Sequence, residues 1–292
     1  MADAIRRVLL LGDEKKGGSA QVVEQHASWL RARGLETDVV VDREQPLRDR
    51  DADVVVVWGG DGSLLAAARR MEDRQRPTLG INRGRLGFLT AFEDEQSELA
   101  LQKLLAQELV EETRLMFRCR VEFADEDGVR GRSAEVLGLN DIVVSRAGAG
   151  GMIMVSVHRG EAKIGTYRGD GVIAATATGS TAYSMAAGGP VLAPDLDAIA
   201  LTPLASHSMS AHPLALSIGG GLEFEVLETG DMPYAYCIVD GQVQMQVQPG
   251  TRIRMTTAPH RFRHLVQSPN QFWDVLVAKF GFAGMARSPE KR

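Results

Sequence analysis

The residues best suited to chemistry sit where an apolar run breaks. Val54-Val55-Val56-Val57-Trp58 leads into Gly59-Gly60-Asp61-Gly62-Ser63, and Leu64 to Met71 then carries a helical pattern. Ligands of open α/β sheets gather where a strand ends and a helix begins. The free N–H groups and positive dipole end of the helix suit phosphate, and Gly59, Gly60 and Gly62 let the backbone come close to it. Asp61 does not fit a simple phosphate cradle. A carboxylate repels phosphate unless a metal bridges the two or the carboxylate has a proton to take. Both routes point to phosphoryl transfer, with Asp61 as general base on an acceptor hydroxyl. A plain tight turn capped by Asp61 or Ser63 accounts for the same residues. No G-x-x-x-x-G-K-[ST] loop and no dinucleotide fingerprint is present. Gly148-Ala149-Gly150-Gly151 reads as a flexible hairpin loop.

A second cluster is Asn140-Asp141, just before the buried-looking run Ile142-Val143-Val144. The Asp can accept two O–H donors and the Asn can donate and accept, which suits a ribose diol; an ordinary Asn-Asp turn is the other reading. A third is the long, small, hydroxyl-rich segment from Arg168-Gly169-Asp170 through Thr178-Gly179-Ser180-Thr181-Ala182-Tyr183-Ser184-Met185-Ala186 to Gly188-Gly189-Pro190. It offers amides, hydroxyls and one aromatic face, enough for a flat heterocycle and a sugar. Arg83 and Arg85 beside glycines can neutralise phosphate charge or sit solvated on a loop. His207 and His212, five residues apart and without a third ligand nearby, do not make a metal site.

Two kinds of element must carry these groups. Up to about residue 90, short apolar runs at Val8–Leu11, Val39–Val41, Val54–Trp58 and Pro77–Ile81 are interspersed with helical patterns at Ser19–Arg33 and Leu64–Met71. That order predicts a Rossmann-like, mostly parallel sheet covered by helices. Glu93 to Val110 reads as a charged helix with leucines at helical spacing. From about 112 to 260 the period becomes two, as in Phe117-Arg118-Cys119-Arg120-Val121-Glu122-Phe123, with a turn at Asp125–Gly128 and a hairpin signal at Asp240-Gly241. The expected architecture is an α/β domain over 1–110, a β-sandwich-like domain over 111–260, and a C-terminal stretch, 261–292, returning to the first. An apolar helix near 271–281 is expected within that stretch.

The 292 residues are enough for two domains and two cores. A net charge of −5 gives no basic footprint for nucleic acid. Cys119 and Cys237 lack partners at metal spacing and read as small buried hydrophobes. No apolar run is long enough for a membrane, and the N-terminus turns charged too early for a secretory signal. A cytoplasmic protein is expected.

Taken together, the motifs resemble the NAD kinases. The matching pieces are Gly59-Gly60-Asp61-Gly62, Gly80-Ile81-Asn82 with Gly84 to Leu89, Asn140-Asp141, Asp170-Gly171, Thr178 to Ser184 with Ala187-Gly188-Gly189-Pro190, and Asp240-Gly241-Gln242, in family order. The Gly-Gly-Asp-Gly piece is shared with lipid kinases and 6-phosphofructokinases, whereas Thr178–Ser184 is specific. The resemblance implies transfer of the γ-phosphoryl of ATP, or another donor, to the 2′-hydroxyl of the adenosine ribose of NAD. It implies Asp61 as base, Gly59, Gly60 and Gly62 at the phosphates, and Asn140 and Asp141 on the dinucleotide's ribose. Arg168 and Asp170 would lie against the dinucleotide, Thr178, Thr181, Ala182, Tyr183, Ser184 and Ala186 would line adenine and ribose, and Gln242 would be a lesser contact. A divalent ion, magnesium, would ride on the donor phosphates without protein ligands of its own, and the assembly would be a homodimer or homotetramer. Two departures stand out: Ala177 replaces the family's proline in Thr-Pro-Thr-Gly, and Asp141 replaces a common Glu. A lipid kinase or a non-catalytic dinucleotide sensor are the competing functions; the polar Thr178–Ser184 segment argues against the first and the retained Asp61 against the second.

Overall fold

The computed structural model of the protein describes residues 4–13, 19–84, 87–124, 130–148, 150–208 and 210–281. Arg85 and the Asp125–Gly128 turn lie outside them. The chain divides into two units: residues 1–70, 76–112 and 263–292 form one, and 71–75 with 113–262 the other.

The first unit is a sheet with helices. Its strands run in the order Glu36–Val40, Arg7–Leu11, Val54–Trp58, Thr78–Asn82, Phe262–Val266, Val110–Arg114. The first four pair in parallel. Val54–Trp58 is buried throughout, which is why the sequence there is a continuous apolar run rather than an alternating one. The helices Ser19–Arg31 and Ser97–Leu105 pack Val23, Ala27, Leu30, Leu101 and Leu104 into one core with Leu10, Val56 and Ile81.

Two features of this unit differ from the sequence reading. The helix expected over 93–110 is shorter: Glu93 and Gln96 form a capping box ahead of it, and Gln107 at φ +56° ends it, leaving Val110 to begin a strand. Phe262–Val266 is an unforeseen strand that pairs in parallel with Thr78–Asn82, His264 opposite Thr78. The helix Gln271–Phe280 follows it, and Phe272 meets Phe88 of the same unit at 5.6 Å between ring centroids. The C-terminal helix thus returns to the first domain.

The second unit is a sandwich of two six-stranded sheets whose strand pairs are antiparallel. Phe117, Val121 and Phe224 of one sheet and Ile142, Val172 and Leu201 of the other share a core. The second sheet is also covered on its outer face, where Val143, Ile173 and Ala200 pack with Leu192. Its central strand Gly171–Thr176 is therefore buried at every position. Cys119 and Cys237 are free and buried. The Cys237 thiol is raised well above its ordinary range, first by its hydrogen bond with Cys119 and then by burial. Gly148–Gly151 joins strands of different sheets, so it is a crossing and not a hairpin; Ala149 lies outside the described residues. Asp240-Gly241, at φ +53° and +64°, is a primed hairpin turn between Ala235–Val239 and Val243–Val247.

Candidate functional site

In the first unit, Val54–Trp58 ends at Gly59 and Asp61 opens the helix Asp61–Met71. The Gly59 amide donates to the Ile81 carbonyl at 2.9 Å, and a side chain at Gly59 would collide with Ser63. The Asp61 carboxylate does not cap its own helix. One oxygen accepts the amide of Phe88 at 2.8 Å and the other that of Leu89 at 2.9 Å. Both donors belong to the Gly84–Leu89 motif, so two motifs separated by some twenty-five residues meet at one carboxylate. Gly87 makes the approach possible, because a Cβ there would occupy the carboxylate's own space. Each oxygen keeps a lone pair beyond its amide bond. A carboxylate fixed in direction yet still able to accept is what a general base requires. Arg83 is paired with Asp94 at 3.0 Å, so its charge is already committed.

In the second unit, a cavity of about 360 Å³ is lined by Asn140, Asp141, Val143, Ser145, Ala182, Tyr183, Ile238, Asp240 and Gly241. Asp240 organises it. Its carboxylate accepts the amides of Leu139 at 3.0 Å, Asn140 at 2.7 Å and Asp141 at 3.3 Å, and its own amide donates to the Asp141 carbonyl at 2.9 Å. Asp141 is 4% exposed. Burial, and then the neighbouring Asp240 charge, push its carboxyl up to about 7. The Asn140 side-chain oxygen is buried without a hydrogen-bond partner, an acceptor waiting for a donor. Tyr183 is 51% exposed and offers its ring to the cavity.

The other sequence-derived residues fall into two groups. Thr178 and Thr181 are buried, and the Thr181 hydroxyl donates to the Thr178 carbonyl at 3.2 Å. Ser184 is fully buried, with its hydroxyl bonded to that of Thr202 at 2.9 Å, so it anchors the short helix Tyr183–Ala186 from below rather than lining the cavity. Asp170 is paired with Arg146 at 2.7 Å. Arg168, Ala186 and Gln242 are exposed and are not among the cavity residues. Val143, Ser145 and Ile238 line the cavity and were missed. They alternate on neighbouring strands and carry no signal of their own. Asp240 reads in the sequence as a hairpin residue and as part of the Asp240-Gly241-Gln242 motif; its grip on three amides carries no sequence signal.

An α/β unit whose Gly-Gly-Asp-Gly turn opens a helix, and an antiparallel sandwich that holds a carboxylate-lined cavity, are parts a phosphotransferase can use, and the comparisons with known proteins place the chain in that class. Residues 20–109 match the ATP-NAD kinase N-terminal domain and residues 139–267 the ATP-NAD kinase C-terminal domain. The chain is 34% identical to the NAD kinase of Desulforamulus reducens, over 92% of this chain and 95% of that one. It is 32% identical to the NAD kinase of Aromatoleum aromaticum, over 99% and 98%. A yeast NADH kinase, solved with NADH, superimposes with a TM-score of 0.85 at 20% identity, covering 98% of this chain and 90% of that one. The Archaeoglobus fulgidus NAD kinase, solved with ATP, does so at 0.72 and 26% identity, covering 93% and 97%. The chain belongs to the NAD kinase family.

Proposed function

We propose that Asp61 is the general base of the reaction that defines the family. The protein is a phosphotransferase that phosphorylates NAD to NADP. Asp61 takes the proton of the adenosine-ribose 2′-hydroxyl as that oxygen attacks the γ-phosphorus of ATP and ADP departs. The observation that carries this reading is the pair of amide bonds from Phe88 and Leu89, which aim the carboxylate while leaving it able to accept. The glycines of the same turn, Gly59, Gly60 and Gly62, serve the phosphates, and the ATP bound to the Archaeoglobus relative supports ATP as donor.

Asn140 and Asp141 hold the ribose, with the buried Asn140 oxygen receiving one hydroxyl, and Tyr183 stacks on the base. Thr178, Thr181 and Ser184 shape that wall from behind, Ala182 and Ala186 flank it, and Arg168, Asp170 and Gln242 are peripheral contacts. A magnesium ion would ride on the donor phosphates, without protein ligands of its own. Held by the phosphate oxygens, it would neutralise phosphate charge. The catalytic and dinucleotide-binding domains span 1–110 with 261–292, and 111–260. Two free, buried cysteines accord with a cytoplasmic setting, and a homodimer or homotetramer is the expected assembly.

The test is direct. Purified protein with NAD, ATP and magnesium chloride yields NADP, and Asp61→Asn loses about 10²–10⁴-fold in kcat, the span of a positioned general base. Unimpaired turnover in that variant would remove Asp61 from the role.

A further inference from the structure

The loop that holds Asp61 is itself held, and by side chains distant in sequence. The Phe88 and Leu89 amides face the Asp61 carboxylate. The carbonyls on the loop's other side face residues of the C-terminal stretch. His264, fully buried on the strand Phe262–Val266, places Nε2 2.8 Å from the Leu89 carbonyl. A carbonyl accepts only, so Nε2 carries the proton and donates. Gln267 donates its side-chain amide to the Ala91 carbonyl. Gln271 reaches the Thr90 carbonyl at 3.5 Å, and its side-chain oxygen accepts the backbone N–H of Gln267 at 2.9 Å, which fixes the Gln267 backbone in turn. Three successive carbonyls, Leu89, Thr90 and Ala91, thus point at donors from residues 264–271.

We infer that His264 and Gln267 are positioning residues for the phosphoryl transfer, setting the direction of the Asp61 carboxylate through the Phe88–Ala91 backbone. The Leu89 backbone is the link. His264 fixes its carbonyl and its N–H fixes Asp61; these groups lie in two adjacent peptide planes joined at the Leu89 Cα, so a shift of that Cα moves the base. Each of the two planes is rigid and amide bonds to a carboxylate are directional, so a carbonyl released on one side of the Leu89 Cα lets the N–H on the other side drift. Misplacing a reacting group by about 1 Å is enough to cost about 10²-fold in rate. The strand carrying His264 pairs with Thr78–Asn82 at Thr78 and Leu79. The sheet therefore fixes the height of the ring against the loop.

This inference rests on Asp61 being the base, and the experiment separates the two. Steady-state kinetics with NAD and ATP are run on His264→Ala, His264→Gln, Gln267→Ala and Asp61→Asn, each checked for a cooperative thermal transition. His264→Ala is expected to lower kcat about tenfold or more, with the KM for NAD within about twofold of wild type. His264→Gln, which keeps an N–H donor near the Nε2 position, is expected to recover most of the loss. Gln267→Ala, at an exposed position, is expected to lower kcat about threefold. A merely structural role would not produce the kcat-only effect or the rescue. Wild-type kcat in folded His264→Ala overturns the inference, as does a KM increase that accounts for the whole loss. If His264→Ala does not fold, Gln267→Ala and Gln267→Glu decide, the latter setting a carboxylate against the Ala91 carbonyl; wild-type kcat in both overturns it. An active Asp61→Asn refutes the base reading itself, whatever His264 does.

Discussion

Asp240 accepts the backbone amide of Asn140 at 2.7 Å, across one hundred residues of sequence. The same carboxylate reaches the amides on either side, so the start of the strand Asp141–Arg146 is built around a charge from the Asp240-Gly241 hairpin. The side chains of Asn140 and Asp141 then have fixed directions into the cavity. Charge-assisted bonds of this kind are shorter and stronger than neutral ones, and none of it depends on a bound ligand.

Asp240→Ala leaves the Leu139, Asn140 and Asp141 amides, two of them buried, short of an acceptor. It is expected to cost about 3 kcal/mol of stability, the range for stranding buried donors, and to raise the KM for NAD steeply. Asp240→Asn keeps an acceptor and a residue type that tolerates the +53° φ of this position, so it is expected to cost about 1 kcal/mol. Denaturant titration of both variants checks the ranking; equal losses would show that the charge and not the acceptor supplies the hold.

Asp141 gives the protein a pH dependence with a definite sign. Its carboxyl titrates at about 7 when folded, against 3.8 ordinarily. Between those values the folded state keeps a proton that the unfolded state has released. Stability therefore falls as pH rises from about 4 to about 7, by at most about 4 kcal/mol, and is level above. Asp141→Asn is expected to remove that slope. The variant should be more stable than wild type at pH 8 and no more stable at pH 4.5, while its affinity for NAD falls. Thermal midpoints at the two pH values test this; an equal difference at both would place the carboxyl's titration elsewhere.

Much of this was readable in the sequence, for reasons that differ by residue. The strand Val54–Trp58 and its glycine turn were legible because a fully buried parallel strand leaves a continuous apolar run. The sandwich was legible because Phe117–Phe123 alternates with period two. The position of Asp61 at a helix start was legible from its glycine neighbours, whereas a plain capped turn accounted for the same residues. The amides of Phe88 and Leu89 were not, because any residue supplies a backbone N–H. His264 was missed for a related reason: a histidine on an apolar strand gives no sign of which carbonyl it meets. Ser184 was read as a lining residue because composition marks a hydroxyl but not the direction in which it points.

Ser180 carries a structural prediction for the segment Thr178–Ser184. Its fully buried hydroxyl donates to the Ala177 carbonyl at 2.7 Å and accepts the Leu192 amide at 3.0 Å. Together with Thr176, whose hydroxyl donates to the Leu139 carbonyl at 2.5 Å and accepts the Gly179 amide at 3.2 Å, it shapes the turn that the family's proline otherwise stiffens. Ser180→Ala is expected to cost about 1–3 kcal/mol, visible as a lowered denaturation midpoint at unchanged m-value. A neutral result would mean that the Ala177 turn is held by packing alone.

Gly87 offers the sharpest test of the catalytic geometry, because the change is a single methyl group. A Cβ at this position would stand where the Asp61 carboxylate lies, so either the carboxylate or the Phe88–Leu89 backbone must move. Both movements break the amide bonds that aim it. Gly87→Ala is expected to lower kcat about 10²-fold and to cost about 1–3 kcal/mol, as for an overpacked contact. Asn140, Asp141 and Tyr183, which we propose bind NAD, lie in the other unit, so the KM for NAD should change far less than kcat. Kinetics against NAD concentration separate the two parameters. A variant that folds and turns over at the wild-type rate would show that the base works without the grip of the Phe88 and Leu89 amides, since the methyl group and those two bonds cannot coexist around one carboxylate.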